Sequence, residues 1–298
     1  MQKFETQIKK IHQEFPDYII SSIKKTGEGD NSKAFILNEK YIFRFPKSKD
    51  AKTQMRKEIA VLPKIKPLLN ISIPIFEFIS FETNFAGHKI IPGVPLTFKI
   101  YNSLHKKNQG LIQQSLANFL SQLHHIDLSK FKDCHLETMD PKEEYWDNFR
   151  KAQKLIYPHI SKNKRNIITK IFTEYLSNQN NFNYTPALIH NDFSKDHILF
   201  DTVKQQIMGI IDFGDMALGD PDYDFMYLLD EFGEEFLKKV FKIYHPKNKK
   251  EVMKKICFFS LANKLQITLG YKDGNHTADL KNTYKNLELW FKKFASKI

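Results

Sequence analysis

The chain has 298 residues, 41% of them hydrophobic and 13% aromatic, and a formal net charge of +12. These values exclude a disordered chain and allow two domains or lobes with a sizeable core. The longest apolar runs fall well short of the ~20 residues of a membrane helix, and the charged N-terminus does not resemble a secretory signal. Cys134 and Cys257 lack metal-type spacing, so we expect buried thiols in a cytoplasmic protein.

The charge is distributed unevenly along the chain. Residues 206–237, the acidic segment, contain no Lys or Arg but nine carboxylates: Asp212, Asp215, Asp220, Asp222, Asp224, Asp230, Glu231, Glu234 and Glu235. The lysine excess elsewhere has no interleaved aromatic residues, which favours a solvated surface over a nucleic-acid groove. The acidic segment predicts a site for cations, whether metal ions, an amine substrate or both. We therefore expect a small cationic substrate, no nucleic-acid or membrane partner, and a monomer.

The spacing of apolar residues predicts alternating elements in the first third of the chain. Phe4, Ile8, Ile11 and Phe15 indicate an amphipathic helix. Further elements are a helix over 52–66 and strands over 18–25, 34–37, 41–46, 71–81 and 85–91. Residues 92–95 (PGVP) break this pattern, and helices dominate afterwards. We therefore predict an N-terminal lobe over 1–92 and a C-terminal lobe over 93–298.

Two features of the N-terminal lobe suggest an anion site. The turn at 26–32 contains Gly27 and Gly29, and its backbone amides could face a phosphate, although an ordinary hairpin turn fits equally well. Arg44 lies inside an apolar strand and so requires an anionic partner. Glu58, on the helix that follows, is the candidate. The alternative is an Arg44 that extends to solvent from a strand edge.

The stretch 188–215 is where chemistry is expected. Asp192 precedes a predicted hairpin (197–200 with 205–211), and Asp212 follows it, so both carboxylates lie at the same end of the hairpin, close to His197. Carboxylates at strand ends suit Mg²⁺. A carboxylate that does not bind metal can accept a proton from a hydroxyl. Together these groups match the requirements of phosphoryl transfer.

These residues also carry a family resemblance. The motifs HNDFSKDHILFD, GIIDFGD and GDPDYDF resemble those of the aminoglycoside phosphotransferases, and most closely the 2″-phosphotransferase group. TGEGDNSKAF, YIFRFPK, FAGHKIIPGVPLT and FLSQLH resemble segments of that group in the same order, so the resemblance covers nearly the whole chain. It implies an α+β, protein-kinase-like fold with a small β-rich N-lobe and a larger, mainly helical C-lobe. It also implies a small-molecule kinase that uses ATP or GTP with Mg²⁺.

The resemblance implies roles for the catalytic and metal-binding residues. Asp192 matches the aspartate that orients and deprotonates the acceptor hydroxyl. Asp212 matches a metal-binding aspartate, and His197 stands where most of the family has an Asn as second metal ligand. The resemblance implies that Glu235 contacts the substrate, and Asp230, Glu231 and Glu234 are nearby acidic candidates. Asp215, which follows Asp212, could face the substrate or support the loop.

The nucleotide-binding residues follow in the same way. Gly27 and Gly29 match the turn that covers the phosphates, and Arg44 occupies the position of a lysine that pairs with Glu58. Lys89 and Ile91 lie in the segment whose backbone would bind the purine edge. His88 corresponds to the residue at the back of the purine pocket.

The sequence departs from the family pattern at two places. Arg44 replaces a lysine, and the two side chains are not interchangeable. Phe259 and Asn263 stand near positions where a Trp and a Glu are expected. Three hypotheses therefore remain: an aminoglycoside kinase, a kinase of another metabolite such as choline, a sugar or a nucleoside, and a catalytically impaired kinase-like binding protein.

Overall fold

The computed structural model describes residues 4–28, 31–134, 136–272 and 280–294. The α-helices are α1 (Glu5–Glu14), α2 (Lys49–Ile65), α3 (Phe98–Ser103), α4 (Lys106–His124), α5 (Pro141–Leu155), α6 (Lys162–Ser177), α7 (Met226–Phe232), α8 (Glu234–Tyr244), α9 (Lys249–Lys272) and α10 (Leu280–Phe294). The strands are β1 (Ile23–Glu28), β2 (Ser32–Leu37), β3 (Tyr41–Pro46), β4 (Phe76–Ile79), β5 (Ala86–Lys89), β6 (Val94–Pro95), β7 (Ala187–Ile189), β8 (Ile198–Asp201), β9 (Gln206–Ile210) and β10 (Ala217–Gly219). This order confirms the predicted α+β fold, with a β-sheet N-terminal region and a helical C-terminal region.

The N-terminal strands form an antiparallel sheet in the order β1-β2-β3-β5-β4. Burial alternates along β3: Tyr41, Phe43 and Phe45 are buried, and Arg44 faces the other side. Ile11 of α1 belongs to the same core as these aromatic side chains. Burial of each large apolar side chain contributes about 1.5–3 kcal/mol. Because a one-residue slip would reverse the faces of β3, this aromatic core determines where Arg44 points.

Two predicted strands are shorter in the structure than the sequence pattern suggested. The strand expected over 18–25 begins only at Ile23, because the backbone amides of Ser21 and Ser22 donate to the side-chain oxygen of Asn38. The strand expected over 71–81 is confined to β4. Before it, the Ser72 carbonyl accepts a hydrogen bond from the Ile210 amide (2.9 Å), so this segment pairs with β9.

A glycine makes the pairing with β9 possible. A Cβ added at Gly209 would lie 2.7 Å from the Ser72 carbonyl oxygen and 2.7 Å from Cγ2 of Ile91. Both distances are too short for a side chain, so glycine lets these segments approach β9. The contact places Ile91 against the strand that leads to Asp212.

Contacts group the described residues into two compact units. The first contains the described residues up to Leu136 together with His190–Met216. The second contains Glu137–Ile189 and the described residues from Ala217 onward. In the first unit β6, β8 and β9 form a three-stranded sheet, and in the second β7 pairs with β10. The lobe boundary at residue 92 stays a prediction.

The second unit is mainly helical. Its long helix α9 packs against α5, α7 and α10, and Phe258 of α9 stacks on Tyr175 of α6. The Asp220 carboxylate caps the following 3₁₀ helix by accepting the Asp222 amide (3.0 Å). Cys134 in the first unit and Cys257 in the second are both buried, as predicted. Among the described helices, none combines the length and apolarity needed to cross a membrane.

Candidate active site

The backbone around Asp192 is held by a buried histidine. The ring of His190 is 0% exposed; its Nε2 donates to the Ile211 carbonyl (3.0 Å), and its Nδ1 accepts the Asp192 amide (3.3 Å). Asn191 (φ 68°) and Asp212 (φ 63°) adopt left-handed backbone conformations. Such conformations cost energy outside glycine and concentrate at functional sites. His190 thus links the Asp192 loop to the end of the strand that carries Asp212.

The two aspartates converge on His197, as the hairpin argument predicted. Nδ1 of His197 donates to the backbone carbonyl of Asp192 (2.7 Å) and lies 3.5 Å from the Asp192 carboxylate. Nε2 lies 3.5 Å from Oδ2 of Asp212. Because a carbonyl can only accept, Nδ1 carries a hydrogen, and in the singly protonated ring Nε2 presents its lone pair toward Asp212. This arrangement leaves two electron-pair donors facing each other.

Arg44 and Glu58 form the ion pair expected from the sequence. Nη1 of Arg44 lies 2.9 Å from Oε1 of Glu58, and Nη2 lies 3.9 Å from Oδ1 of Asp212. The side chain of Glu58 is 0% exposed and that of Arg44 is 17% exposed. Burial raises the pKa of Glu58 although Arg44 opposes the shift; burial disfavours the Arg44 cation, but Glu58 and Asp212 raise its pKa overall. Arg44 therefore presents a permanent positive charge beside Asp212.

A cavity of about 420 Å³ connects these groups, and we call it the Arg44 cavity. One part of its lining is apolar: Ala34, Ile42, Ile91, Leu199 and Ile211. Another part is charged: Arg44, Asp192, Asp212 and Asp215. An apolar cavity of this size with a few convergent charged groups is the usual form of a small-molecule site.

His88 and Lys89 contribute differently to this region. His88 lines the Arg44 cavity, and its Nδ1 donates to the Lys89 carbonyl (2.8 Å). Burial lowers the pKa of His88 to about 4, so its ring is neutral near pH 7. The Lys89 ammonium instead contacts Glu77 (2.9 Å). Gly27 pairs with Ala34 across β1 and β2, and Gly29 lies outside the described residues.

Gln54, which was not predicted from the sequence, links two segments that line the Arg44 cavity. Nε2 of Gln54 on α2 donates to Asp215 (2.8 Å), and Oε1 of Gln54 accepts the side-chain amide of Asn31 (2.9 Å). Burial and the nearby Asp212 carboxylate raise the pKa of Asp215. Asn31 and Asp215 both line the Arg44 cavity. Gln54 thus connects the turn before β2 to the loop after Asp212.

Other predicted substrate residues lie in the second unit, where lysines contact several of them. Asp230 accepts hydrogen bonds from Lys264 (2.6 Å) and Ser260 (2.5 Å). Lys238 contacts both Glu234 (2.9 Å) and Glu235 (3.0 Å), and Lys255 contacts Asp220 and Asp222. Glu231 lies beside Asp230 on α7. The negative charge of the acidic segment is therefore partly compensated by α8 and α9.

The two positions that depart from the family pattern have structural contacts in the same unit. Phe259 packs among the rings of Tyr145, Tyr175 and Tyr223. The Asn263 side chain donates to the Tyr227 hydroxyl (3.1 Å). Neither residue supplies a carboxylate to a ligand.

The comparison with protein families decides the identity of the fold and of the enzyme class. The family model described as "Phosphotransferase enzyme family" (APH) matches residues 24–255. The chain belongs to this family. Its membership confirms the predicted resemblance and shows a phosphotransferase with a protein-kinase-like fold.

Solved structures of phosphotransferases support this assignment over the full chain. The GDP and kanamycin complex of APH(2″)-IIIa is 27% identical, with 98% of this chain and 99% of that chain covered and a TM-score of 0.88. The streptomycin–ATP–APH(2″)-IIa ternary complex is 26% identical, with 99% and 97% covered and a TM-score of 0.73. A macrolide 2′-phosphotransferase of type I is 16% identical at a TM-score of 0.74, with 96% and 97% covered, which shows the fold alone.

A curated relative matches a smaller part of the chain. The uncharacterized protein YcbJ of Bacillus subtilis (strain 168) is 24% identical over 148 residues. The match covers 49% of this chain and 46% of YcbJ, so it spans less than half the length of that relative.

Proposed function

We propose that this phosphotransferase moves the γ-phosphate of ATP or GTP to a hydroxyl of a small cationic substrate, namely the 2″-hydroxyl of an aminoglycoside. The observation that carries the proposal is the convergence of Asp192, His197 and Asp212 at the charged end of the Arg44 cavity. Phosphoryl transfer depends mainly on positioning and electrostatic stabilisation, and these groups can supply both.

In this proposal Asp192 orients the acceptor hydroxyl and takes its proton. The hydroxyl oxygen forms a bond to the γ-phosphorus, the bond from that phosphorus to the bridging oxygen breaks, and the nucleoside diphosphate leaves. The hydrogen bonds from His197 and to His190 keep the Asp192 backbone in place. A fixed base within reach of a hydroxyl contributes roughly 10²–10⁴ in rate.

Arg44 is proposed to hold the α- and β-phosphates. Its guanidinium is anchored by buried Glu58 and directed toward Asp212, so it can neutralise phosphate charge without first reorganising. Gly27, which lies near the end of β1, would cover the phosphates, and Gly29 stays a sequence-based prediction for the same role. The apolar lining of the cavity suits a purine, whose edge would bind the backbone at Lys89 and Ile91.

The residues present fit one Mg²⁺ ion with incomplete protein ligation. The described residues contain no group of three or more His, Cys, Asp or Glu side chains placed to hold a metal. Asp212 and His197 nevertheless direct an oxygen and a nitrogen lone pair toward each other at 3.5 Å. Mg²⁺ commonly takes one or two protein ligands and completes its shell with phosphate oxygens and water. Such an ion would neutralise charge on the phosphates, and Asp212 and His197 would hold it.

The relatives support an aminoglycoside as substrate. The APH(2″) structures named above contain kanamycin or streptomycin, and a gentamicin complex of APH(2″)-IIa is also similar at 27% identity and a TM-score of 0.72. Asp215 would contact such a substrate near Asp192, and Asp230, Glu231, Glu234 and Glu235 would add further acidic contacts. The supporting observation in this chain is the density of carboxylates over 206–237.

A second candidate is a kinase of a hydroxyl compound with fewer positive charges. It is favoured by the lysines that already contact Asp230, Glu234 and Glu235. A carboxylate paired with an ammonium attracts a cationic substrate less strongly than an isolated one, because the lysine cancels much of its field.

A substrate panel separates these candidates. Purified protein with Mg²⁺ and either ATP or GTP is assayed for nucleoside diphosphate release with kanamycin, gentamicin, choline, sugars and nucleosides. The proposal expects turnover with the aminoglycosides and a loss of about 10³-fold in Asp192→Asn, which keeps its nucleotide affinity. Turnover confined to a compound without amino groups would support the second candidate. Absence of any turnover that depends on Asp192 would reject both.

A further inference from the structure

A second large cavity lies in the mainly helical unit, between side chains of α7, α8, α9 and α10. Its volume is about 670 Å³, within the range of small-molecule sites. Its apolar lining consists of Leu229, Phe241, Met253, Cys257 and Phe294. These residues belong to four different helices, so the apolar surface is formed by the tertiary packing of this unit.

Lysines surround this apolar surface, and we therefore call the site the lysine cavity. Lys238 and Lys242 come from α8; Lys249, Lys250 and Lys254 come from α9. Glu234 is the acidic residue in its lining. The long apolar stems of lysine extend a hydrophobic lining, and their ammonium groups stay at its edge. The cavity thus combines an apolar interior with a cationic rim.

The charge of this rim is only partly compensated. Lys238 contacts Glu234 and Glu235, and Lys254 contacts Glu251 (3.1 Å). Within the described residues, Lys242, Lys249 and Lys250 form no ion pair. Like charges spaced four residues apart on a helix repel one another, as Lys238 and Lys242 do on α8. An anion at the rim would offset this repulsion.

We propose that the lysine cavity is a binding site for a single-chain anionic amphiphile, that is, a long-chain carboxylate. The apolar chain would pack against Phe241, Met253 and Phe294, and the carboxylate would bind the ammonium groups of Lys242, Lys249 and Lys250. Burial of each methylene contributes about 0.8 kcal/mol, and charge complementarity selects an anion over a cation. This cavity shares no lining residue with the Arg44 cavity and does not depend on the chemistry proposed there, although Glu234 in its lining is also a proposed substrate contact.

The chain provides its own reporter for this site. Trp290 lies on α10, and its ring centroid is 5.9 Å from that of Phe294, which lines the cavity. Trp146→Phe leaves Trp290 as the remaining tryptophan, because the sequence contains two. Titration of this variant with dodecanoate, below its micelle concentration, should change the Trp290 fluorescence saturably. Acetate lacks the apolar chain and dodecyltrimethylammonium lacks the negative charge, so neither should reproduce the change.

Charge-reversal variants test the rim. In the Trp146→Phe background, Lys242→Glu/Lys249→Glu/Lys250→Glu should weaken dodecanoate binding about tenfold or more, because three attractive charges become repulsive. The matched control Lys151→Glu/Lys154→Glu/Lys162→Glu makes the same change in net charge at exposed positions of α5 and α6, and should change affinity less than about twofold. Circular dichroism checks folding, and the corresponding lysine-to-glutamine triple variant provides a milder second series.

Several outcomes would overturn the proposal. These are no saturable dodecanoate signal, equal binding of dodecyltrimethylammonium, and equal affinity in the two triple variants. Binding to vesicles containing phosphatidylglycerol without binding of free dodecanoate would also overturn it, since the rim would then recognise a membrane surface. Dodecanoate affinity is measured without nucleotide or acceptor, so the result is independent of whether the phosphoryl-transfer proposal holds.

Discussion

Carboxylates occur in two settings in this molecule, and the settings differ in what surrounds them. In the Arg44 cavity, Asp192 and Asp212 lie 3.5 Å from the two nitrogens of one imidazole, and Asp212 also lies 3.9 Å from Arg44. In the second unit, Asp220, Asp222 and Asp230 lie 2.5–2.6 Å from lysine ammonium groups. The first set faces an imidazole ring and a guanidinium, and the second set is in direct contact with lysine ammonium groups.

This difference separates two uses of the same side chain. A buried carboxylate in close contact with a lysine has its charge compensated, and the fold then depends on both partners because removal of one leaves a buried charge. Asp212 faces the lone pair of the His197 ring across 3.5 Å beside a guanidinium, and such a carboxylate retains capacity for a cation. Substitutions should therefore affect stability in the second unit, and both stability and chemistry around Arg44.

The largest effect is expected for Arg44→Met. Removal of the guanidinium leaves Glu58 fully buried without its cation, which should cost about 4 kcal/mol of unfolding free energy. Urea denaturation measures this loss. Arg44→Met/Glu58→Met should recover most of the stability but not phosphoryl transfer, since the charge for the phosphates is gone. The control Arg150→Met removes an exposed pair with Asp147 and should cost at most ~0.5 kcal/mol; an equal loss in both single variants would contradict the argument.

A slightly smaller loss of stability is expected for Lys255→Met in the second unit. Lys255 contacts Asp220 at 2.5 Å and Asp222 at 2.6 Å, and all three side chains are at least 85% buried, so two carboxylates would lose their cation. We expect a cost of about 3 kcal/mol with turnover per folded molecule unchanged. The neighbouring Lys254→Met breaks an exposed pair with Glu251 and should cost at most ~0.5 kcal/mol. Reduced turnover in folded Lys255→Met would show that this cluster takes part in the reaction.

The pH dependence of stability should identify His88. Burial lowers its pKa to about 4, whereas an unfolded chain titrates near 6.5. Between about pH 4 and 6.5 the residue binds a proton in the unfolded chain but not in the folded protein. The free energy of unfolding therefore rises with pH over this range and levels off above about pH 6.5. The contribution is about 3 kcal/mol. Relative to the parent protein, His88→Asn should flatten this rise, and the exposed control His125→Asn should not.

The sequence predicted those parts of the site that depend on local geometry. Asp192, His197 and Asp212 could be placed together because they flank one hairpin, β8–β9. Arg44 could be paired with Glu58 because an arginine within a buried strand needs an anion. The hydrogen-bonding role of His190 was missed, although His190 belongs to the same motif, because it depends on the distance to the Ile211 carbonyl.

The charge compensation in the second unit could not be predicted from the acidic segment. Counting residues over 206–237 finds no lysine, so the segment looks like an open cation site. Lys238 lies directly after the segment and contacts Glu234 and Glu235 within α8. The partners of Asp222 and Asp230, Lys255 and Lys264, come from α9, more than 30 residues along the chain. Such pairing depends on how α9 packs, which local sequence patterns do not encode. The count overestimated the free negative charge for this reason.

The smallest effect is expected for Gln54→Ala. This substitution tests whether the residues around Asp215 contribute to nucleotide binding. The Gln54 side chain connects Asn31, in the turn before β2, to Asp215, which lies 161 residues after Gln54 in the sequence. Gln54→Ala removes two hydrogen bonds that are partly replaced by water, a loss of about 1 kcal/mol. Because Asn31 and Asp215 line the Arg44 cavity, the loss should appear as a roughly fivefold higher KM for the nucleotide.

The division between KM and kcat distinguishes a positioning role for Gln54 from a structural one. We expect kcat to stay within about twofold of the parent value, since the side-chain hydrogen bonds of Gln54 are with Asn31 and Asp215 and not with the proposed base. Thr53→Ala is the matched control on α2: the Thr53 hydroxyl bonds the Lys49 carbonyl of its own helix, so its removal should leave KM unchanged. If Gln54→Ala lowers only the denaturation midpoint, the Asn31–Gln54–Asp215 link stabilises the fold without serving the nucleotide. A higher KM without loss of stability would instead place the three residues in the nucleotide-binding machinery, whereas Asp215 is proposed above as a substrate contact.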